Sequence, residues 1–340
     1  DPDDAVQFGL MTNDAFEVGP VPFERYPGGD AGGAGVALDT ASELQGFAYA
    51  VSTYDVGGCA IEVGRMQQGG ALIGDPARFV DGDCTPEVSV AWTGQGIGVA
   101  WTQSDPNMDQ SAVAFGRTAN FSVAIRGYVT VAASGRSPSL AWTGNQFGVL
   151  YISTGVVNNL EFRTIFNNQQ VGNPVVITRG ADHPELRYVP ALGQFVAVWT
   201  EPALQGARLL KAAFLTPAGE VVQAVTLSSG RNAPVNPTLS PVENLARNAP
   251  VTRIAVTYAD DGVLFTTWLL WDGRGWAWNG AAEQITGARD PTASLPKAGY
   301  ASDGAGHGVA YLADSGNGRP QVRLVGGNLG CGVLPADAPR

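Results

Sequence analysis

The chain of 340 residues is acidic, with a formal net charge of −11, and only 15% of it is charged. No Lys/Arg-rich run accompanies that balance, which excludes a surface built on phosphate contacts to nucleic acid, and no apolar stretch reaches the roughly 18 residues of a membrane-crossing helix. With 45 Gly and 22 Pro, punctuation is too dense for long helices, and turn-rich all-β structure remains.

In chain order, the sequence opens Asp1-Pro2-Asp3-Asp4 without Met, as a mature chain trimmed after export would. The run AVQFGLM alternates like the third strand of a four-strand unit, and FEVGPVPFERY (Phe16–Tyr26) reads as an orphan outer strand. GVALDTASELQGFAYAVS (Gly35–Ser52) then gives two runs of period-two alternation around a polar turn, the pattern of a β-hairpin. The pattern returns as SVAWTGQGIGVAW (Ser89–Trp101) and SLAWTGNQFGVLY (Ser139–Tyr151), with tight turns at Thr93-Gly94-Gln95-Gly96 and Thr143-Gly144-Asn145-Gln146.

From the second copy onward a proline opens each motif, at Pro86, Pro138, Pro184, Pro237 and Pro291, about fifty residues apart. Each motif closes on an aromatic: Trp101, Tyr151, Trp199, Tyr258 and Tyr311. Two more strand-like runs follow within a copy, LEFRTIF and NPVVIT in the third, and ARLLKAAFL and EVVQAVTL in the fourth. The fifth gives VLFTTWLLW and WAWNGAAEQIT around Asp272-Gly273-Arg274-Gly275, and the sixth stops after QVRLV.

Four antiparallel strands repeated radially predict an all-β fold, a β-propeller of six blades forming one domain over residues 1–340. The repeats fall near 33–80, 86–132, 138–178, 184–228, 237–286 and 291–330, with the N-terminal 5–26 segment closing the ring as the missing strand. The third-strand character of AVQFGLM leaves seven blades open.

Cys59 and Cys84 fall on links that a meander brings to the same face of adjoining blades, so a disulfide between them is expected. It would add about 3 kcal/mol in the chain-entropy model and place the chain outside the cell or at its surface. Cys331 is left over, and the absence of any Cys-x-x-Cys pair argues against zinc.

The same meander puts the tight hairpins on one face and the longer links on the other, where binding residues concentrate. The residues just before each motif proline should ring a central channel mouth there. They are Asp83 and Cys84, Arg136 and Ser137, Asp182 and His183, Asn236, and Arg289 and Asp290, with Asp30 as a sixth member. His183 is the one candidate general base in this ring, whereas His307 aligns with Phe147 and Phe195 and reads as structural.

A wider ring of carboxylates ends the second strands: Asp55, Asp105, Glu201, Asp260 or Asp261, and Asp314. Such oxygens suit a hard cation, Ca²⁺, or sugar hydroxyls, and they equally suit ordinary turn chemistry. No other cofactor is expected. Trp92, Trp101, Trp142 and Trp199 should fill the space between blades, and of Trp268, Trp271, Trp276 and Trp278 at least one should reach the perimeter, where an indole can stack on a sugar.

Gly-x-Ser-x-Gly, His-Glu-x-x-His and phosphate-loop signatures are missing. YADDGVLF (Tyr258–Phe265) approaches a sialidase Asp-box, yet Tyr replaces the hydroxyl residue and the position is wrong for that motif. The recurring P-x-L-A-W-T-G-x-x-F-G-V-x-Y resembles repeats of secreted or surface-anchored bacterial β-propeller proteins; other propellers include sugar-binding lectins, lyases and hydrolases. That resemblance implies fold rather than function. Two functions are therefore expected in competition. One is an exported, monomeric recognition module for carbohydrate or protein, and the other is an extracellular hydrolase or lyase of a carbohydrate or polyanionic substrate. In the second, His183 is the base and Arg136 and Arg289 are anion clamps.

Overall fold

A computed structural model describes residues 7–12, 15–22, 35–41, 46–55, 58–67, 72–80, 84–105, 110–118, 125–228, 233–240, 243–244, 252–289, 294–300, 307–314 and 320–325, with side chains over a narrower set within them. Period-two alternation gives strands throughout, and every pairing is antiparallel. The one helical element among the described residues is a single 3-10 turn at Leu204–Gly206.

β1 (Gln7–Thr12) and β2 (Ala15–Pro22) pair with each other, Thr12 opposite Ala15. The 5–26 segment, expected as one closing strand, therefore contains two strands. A meander follows, of β3 (Gly35–Ala41), β4 (Gly46–Asp55), β5 (Gly58–Gln67) and β6 (Ala77–Val80). The next sheet holds β7 (Cys84–Trp92), β8 (Ile97–Asp105), β9 (Gln110–Thr118) and β10 (Ile125–Ala132). After it come β11 (Arg136–Trp142), β12 (Gln146–Ser153), β13 (Asn159–Phe166) and β14 (Val175–Arg179).

β15 (Asp182–Val189), β16 (Gln194–Pro202), β17 (Arg208–Leu215) and β18 (Val221–Thr226) form another four-strand sheet. In the following sheet β19 (Val235–Leu239) and the two-residue β20 (Glu243–Asn244) both pair β21 (Thr252–Asp260), which continues into β22 (Val263–Trp271) and β23 (Trp276–Arg289). The last sheet has three strands, β24 (Ser294–Tyr300), β25 (His307–Asp314) and β26 (Pro320–Val325).

The chain divides into two compact units, Asp1–Gly180 with Pro217–Glu220, and Ala181–Thr216 with Val221–Arg340. In the first, both faces of the β7–β10 sheet are buried. Val90, Trp92, Val99 and Trp101 pack against Ile61 and Val63 of β5, while Ala91, Ala100 and Phe115 meet Leu140, Phe147 and Tyr151. Two-sided burial is why these strands read as nearly continuous apolar runs. Gly98 lets the Phe147 ring lie against the strand, where any side chain would collide with it. In the second unit Val196, Val198 and Phe214 pack against Leu239, Ile254, Val256 and Trp276, the Phe214 and Trp276 rings stacking 4.6 Å apart.

Gln223 of β18 adds a polar link to that packing. Its amide nitrogen donates to the Trp276 carbonyl, 2.5 Å away, and its amide oxygen accepts from the Trp276 N–H at 2.9 Å. One side chain thus pairs with the backbone as a neighbouring strand would.

The four clustered indoles, of which alternation places at least one at the perimeter, differ in burial, Trp271 and Trp278 staying partly exposed. Trp268 and Trp276 are buried, and Trp271 and Trp278 pack against the core of their unit. Polar and cationic partners make this burial tolerable: Trp278 Nε1 donates to Thr267 Oγ1, and the Arg253 guanidinium lies 4.4 Å over the Trp268 ring.

The motif prolines leave a shared mark. Pairing slips between Cys84 and Val88, Arg136 and Ser139, Asp182 and Glu185, and Val235 and Thr238, so these four first strands carry a bulge at Pro86, Pro138, Pro184 and Pro237; in β24 the slip, between Ser294 and Lys297, falls at Pro296, and Pro291 lies outside the described residues. Proline has no N–H for the ladder, and a bulge is where a strand can accept that loss. The residue before it turns left-handed, Ser137 at φ 53, His183 at φ 51 and Asn236 at φ 48.

Candidate functional site

At the bulge of β15, three strand ends place polar side chains together. Asp182 and His183 begin β15, Thr200 lies opposite Asp182 on β16, and Arg208 begins β17 opposite Pro202. The Asp182 carboxylate accepts from the His183 N–H at 3.0 Å and from Arg208 Nη2 at 3.4 Å. Arg208 also donates to Thr200 Oγ1 from Nη2 at 2.8 Å and from Nε at 3.2 Å. His183 Nδ1 lies 3.2 Å from Thr200 Oγ1 and 3.7 Å from the Asp182 carboxylate.

These contacts set what the cluster can do. Thr200 has one hydroxyl proton and two acceptors within reach, the Asp182 carbonyl at 3.3 Å and His183 Nδ1. If the carbonyl takes it, Nδ1–H donates to Thr200 and Nε2 becomes an acceptor; if Nδ1 takes it, Nε2–H becomes a donor. With imidazole neutral, Asp182 and Arg208 balance in charge. Side-chain exposures of 27% for Asp182, 30% for His183 and 23% for Arg208 leave the set fixed by its own bonds yet open to solvent.

The first unit holds a related cluster at the β11 bulge. Glu87 accepts from the Ser137 N–H at 2.8 Å, from Ser137 Oγ at 2.6 Å and from Thr102 Oγ1 at 2.7 Å, and Arg136 Nη1 donates to Ser137 Oγ at 3.3 Å. Every group here serves the join between β7 and β11. Arg136, expected as an anion clamp, reaches this cluster through Ser137 Oγ.

The other sequence candidates are scattered. Asn236 occupies the equivalent bulge of β19. Asp83, Asp290 and Asp30 lie outside the described residues, as do the side chains of Arg289, His307, Asp55, Asp105, Asp314 and all three cysteines. Of the outer carboxylates, Glu201 is held by Lys211 Nζ at 2.6 Å and Trp199 Nε1 at 2.8 Å. Asp260 is buried, and Asp261 with Gly262, at φ 49 and φ 73, makes the two-residue turn to β22. Among the described residues no group of three or more His, Cys, Asp or Glu is disposed to hold a metal ion.

Thr200 and Arg208 were not legible as site residues from the motif proline alone. The signal that finds them is the strand end: the link face receives the close of the second strand and the start of the third as well as the start of the first.

No family model matches the chain, and no curated protein matches it. Among solved structures it is similar to an α-L-arabinanase of Penicillium chrysogenum complexed with arabinobiose, at 12% identity over 88% of this chain and 94% of that one, with a TM-score of 0.62. AofleA of Arthrobotrys oligospora is similar at 13% identity over 86% and 82% of the two chains, with a TM-score of 0.53. The shared fold is propeller-like. At these identities the likeness concerns fold alone. No helix among the described residues is long and apolar enough to cross a membrane.

Proposed function

We propose that the chain recognises a neutral carbohydrate at the β15 bulge, through Asp182, His183 and Arg208. The observation that carries this reading is the charge-balanced, partly exposed set of donors and acceptors those residues form around Thr200. Sugar hydroxyls both donate and accept, so a fixed carboxylate, guanidinium and imidazole suit them. A polyanion would gain little from an arginine already matched by Asp182. The arabinobiose bound to the similar arabinanase supports a saccharide as ligand class.

Hydrolysis is the competing reading, and the similar arabinanase favours it. Glycoside hydrolysis ordinarily needs two carboxylates facing one bond. In this cluster the one carboxylate shown in contact, Asp182, is engaged by a backbone N–H and by Arg208. The proposal carries with it a six-bladed ring completed by the N-terminal strands and an exported chain with a Cys59–Cys84 bridge. Its support is the sixfold echo in sequence and the position of those cysteines at the starts of β5 and β7.

The test is a glycan array followed by titration calorimetry with the best neutral oligosaccharide. His183→Asn is the informative variant, because Asn236 already holds the equivalent left-handed position. Binding weakened at least about tenfold with an unshifted melting temperature is expected, since each lost hydrogen bond to a charged or polar partner is worth about 1.5 kcal/mol. Equal affinity in the variant, or no neutral glycan bound, refutes the reading, and steady release of reducing ends would move it to hydrolysis. More than one reactive thiol in the denatured, unreduced chain would remove the bridge.

A further inference from the structure

The two carboxylates that end the second strands of adjacent sheets have unlike surroundings. Glu201 on β16 has both oxygens occupied, one by Lys211 and the other by Trp199 Nε1. Lys211 reaches it from β17, where it pairs with Trp199. In the next sheet the corresponding carboxylate is Asp260, and the residue paired with the second-strand aromatic Tyr258 is Phe265. The cation of one sheet is a phenyl ring in the other, stacked on Tyr258 at 5.8 Å.

Asp260 is 5% exposed. Its Oδ1 accepts from the Ala233 N–H at 3.1 Å, while Oδ2 is buried with no hydrogen-bond partner among the described residues. Turn chemistry does not account for it. The turn is made by Asp261 and Gly262, and Asp260 sits at the last ladder position, opposite Val263. A buried carboxylate oxygen without a donor or cation is strongly unfavourable, so its natural complement is a positive charge.

We infer that Asp260 Oδ2, with the exposed carboxylate of the adjacent Asp261 at the turn, forms a binding site for a hard divalent cation of the Ca²⁺ type. Oxygen-only donors of this kind suit Ca²⁺, with water and backbone carbonyls completing its shell. Glu201 is excluded from the same role because Lys211 already neutralises it. The site is independent of the glycan reading and stands or falls apart from it.

The experiment is calorimetric titration of the chelator-treated chain with Ca²⁺, in parallel with Tb³⁺ luminescence sensitised by the neighbouring tyrosine. Wild type and E201Q are expected to bind the same number of ions, and D260N one fewer, with loss of the corresponding Tb³⁺ signal. Ca²⁺ should raise the melting temperature of wild type in a saturable way and raise that of D260N less. Metal-free D260N should melt no lower than metal-free wild type, since a neutral amide replaces a buried uncompensated charge. An unchanged ion count in D260N, equal loss in E201Q, or no saturable binding overturns the inference. A marked destabilisation of metal-free D260N does so too, because it would reveal a native partner for the charge.

Discussion

The Gln223 amide gives the sharpest test of how the second unit is held together. Trp276 is buried, and its N–H and carbonyl are both met by this one side chain. Replacing Gln223 by Ala strands two backbone groups, each costing about 1–3 kcal/mol when left without a partner. Gln223 is itself only half-buried, so water can reach part of the gap, and a total near 2 kcal/mol is expected. Gln223→Glu separates hydrogen bonding from packing. It still accepts from the N–H, yet it aims a carboxylate oxygen at the Trp276 carbonyl where an amide donor stood. At neutral pH it should cost at least as much as the alanine, and because the carboxylate is disfavoured beside the carbonyl its pKa is raised in the fold, so the loss should shrink as pH falls towards the ordinary carboxyl value of about 4.

The assay is denaturant unfolding followed by tryptophan fluorescence, since Trp276 stacks on Phe214 and reports the joint directly. Two compact units can unfold in separate steps, so both transitions must be fitted. Alanine and glutamate variants within about 0.5 kcal/mol of wild type would refute the reasoning, because that is what an ordinary surface substitution does.

Two further outcomes follow from buried aromatics. Gly98→Ala should destabilise the first unit by about 1–3 kcal/mol in a thermal melt, because the added methyl meets the Phe147 ring inside a packed core; an unchanged melting temperature would show that the ring has room to move. Tyr258 is pushed up to about 12, from an ordinary 10.0, by burial first and by the Asp260 charge second. Its neutral form is favoured in the fold, so this stability is complete below pH 10 and fades as pH rises towards 12. The loss, at most about 3 kcal/mol, should be absent from the alkaline unfolding curve of Tyr258→Phe, and identical curves would refute the assignment.

What the sequence revealed was local. The turns at Thr93 and Thr143 were legible because the residues that shape them are adjacent, and each closes with a 2.9 Å bond, from Thr93 N to Gly96 O and from Thr143 N to Gln146 O. The four-strand antiparallel sheets were legible because two-sided burial writes itself as alternation and apolar runs. Arg208 was not, since its meeting with Asp182 depends on the register β17 takes after the loop at 203–207, which no periodicity encodes. Glu201 and Asp260 looked alike in sequence, and only the partner across the next strand, Lys211 or Phe265, tells them apart. Which of the four indoles is buried was illegible for the same reason: Trp276 is covered by Phe214, sixty-odd residues away and on another sheet.

The left-handed residue ahead of three motif prolines, Pro138, Pro184 and Pro237, has a consequence for how such a chain can diverge. Ser137, His183 and Asn236 share one backbone shape although their chemistry ranges from hydroxyl to imidazole to amide. The geometry is imposed by the proline and the slipped ladder, so the occupant can be exchanged without redrawing the strand. Duplication thus supplies a row of sockets of one backbone shape, whose side chains can vary one codon at a time.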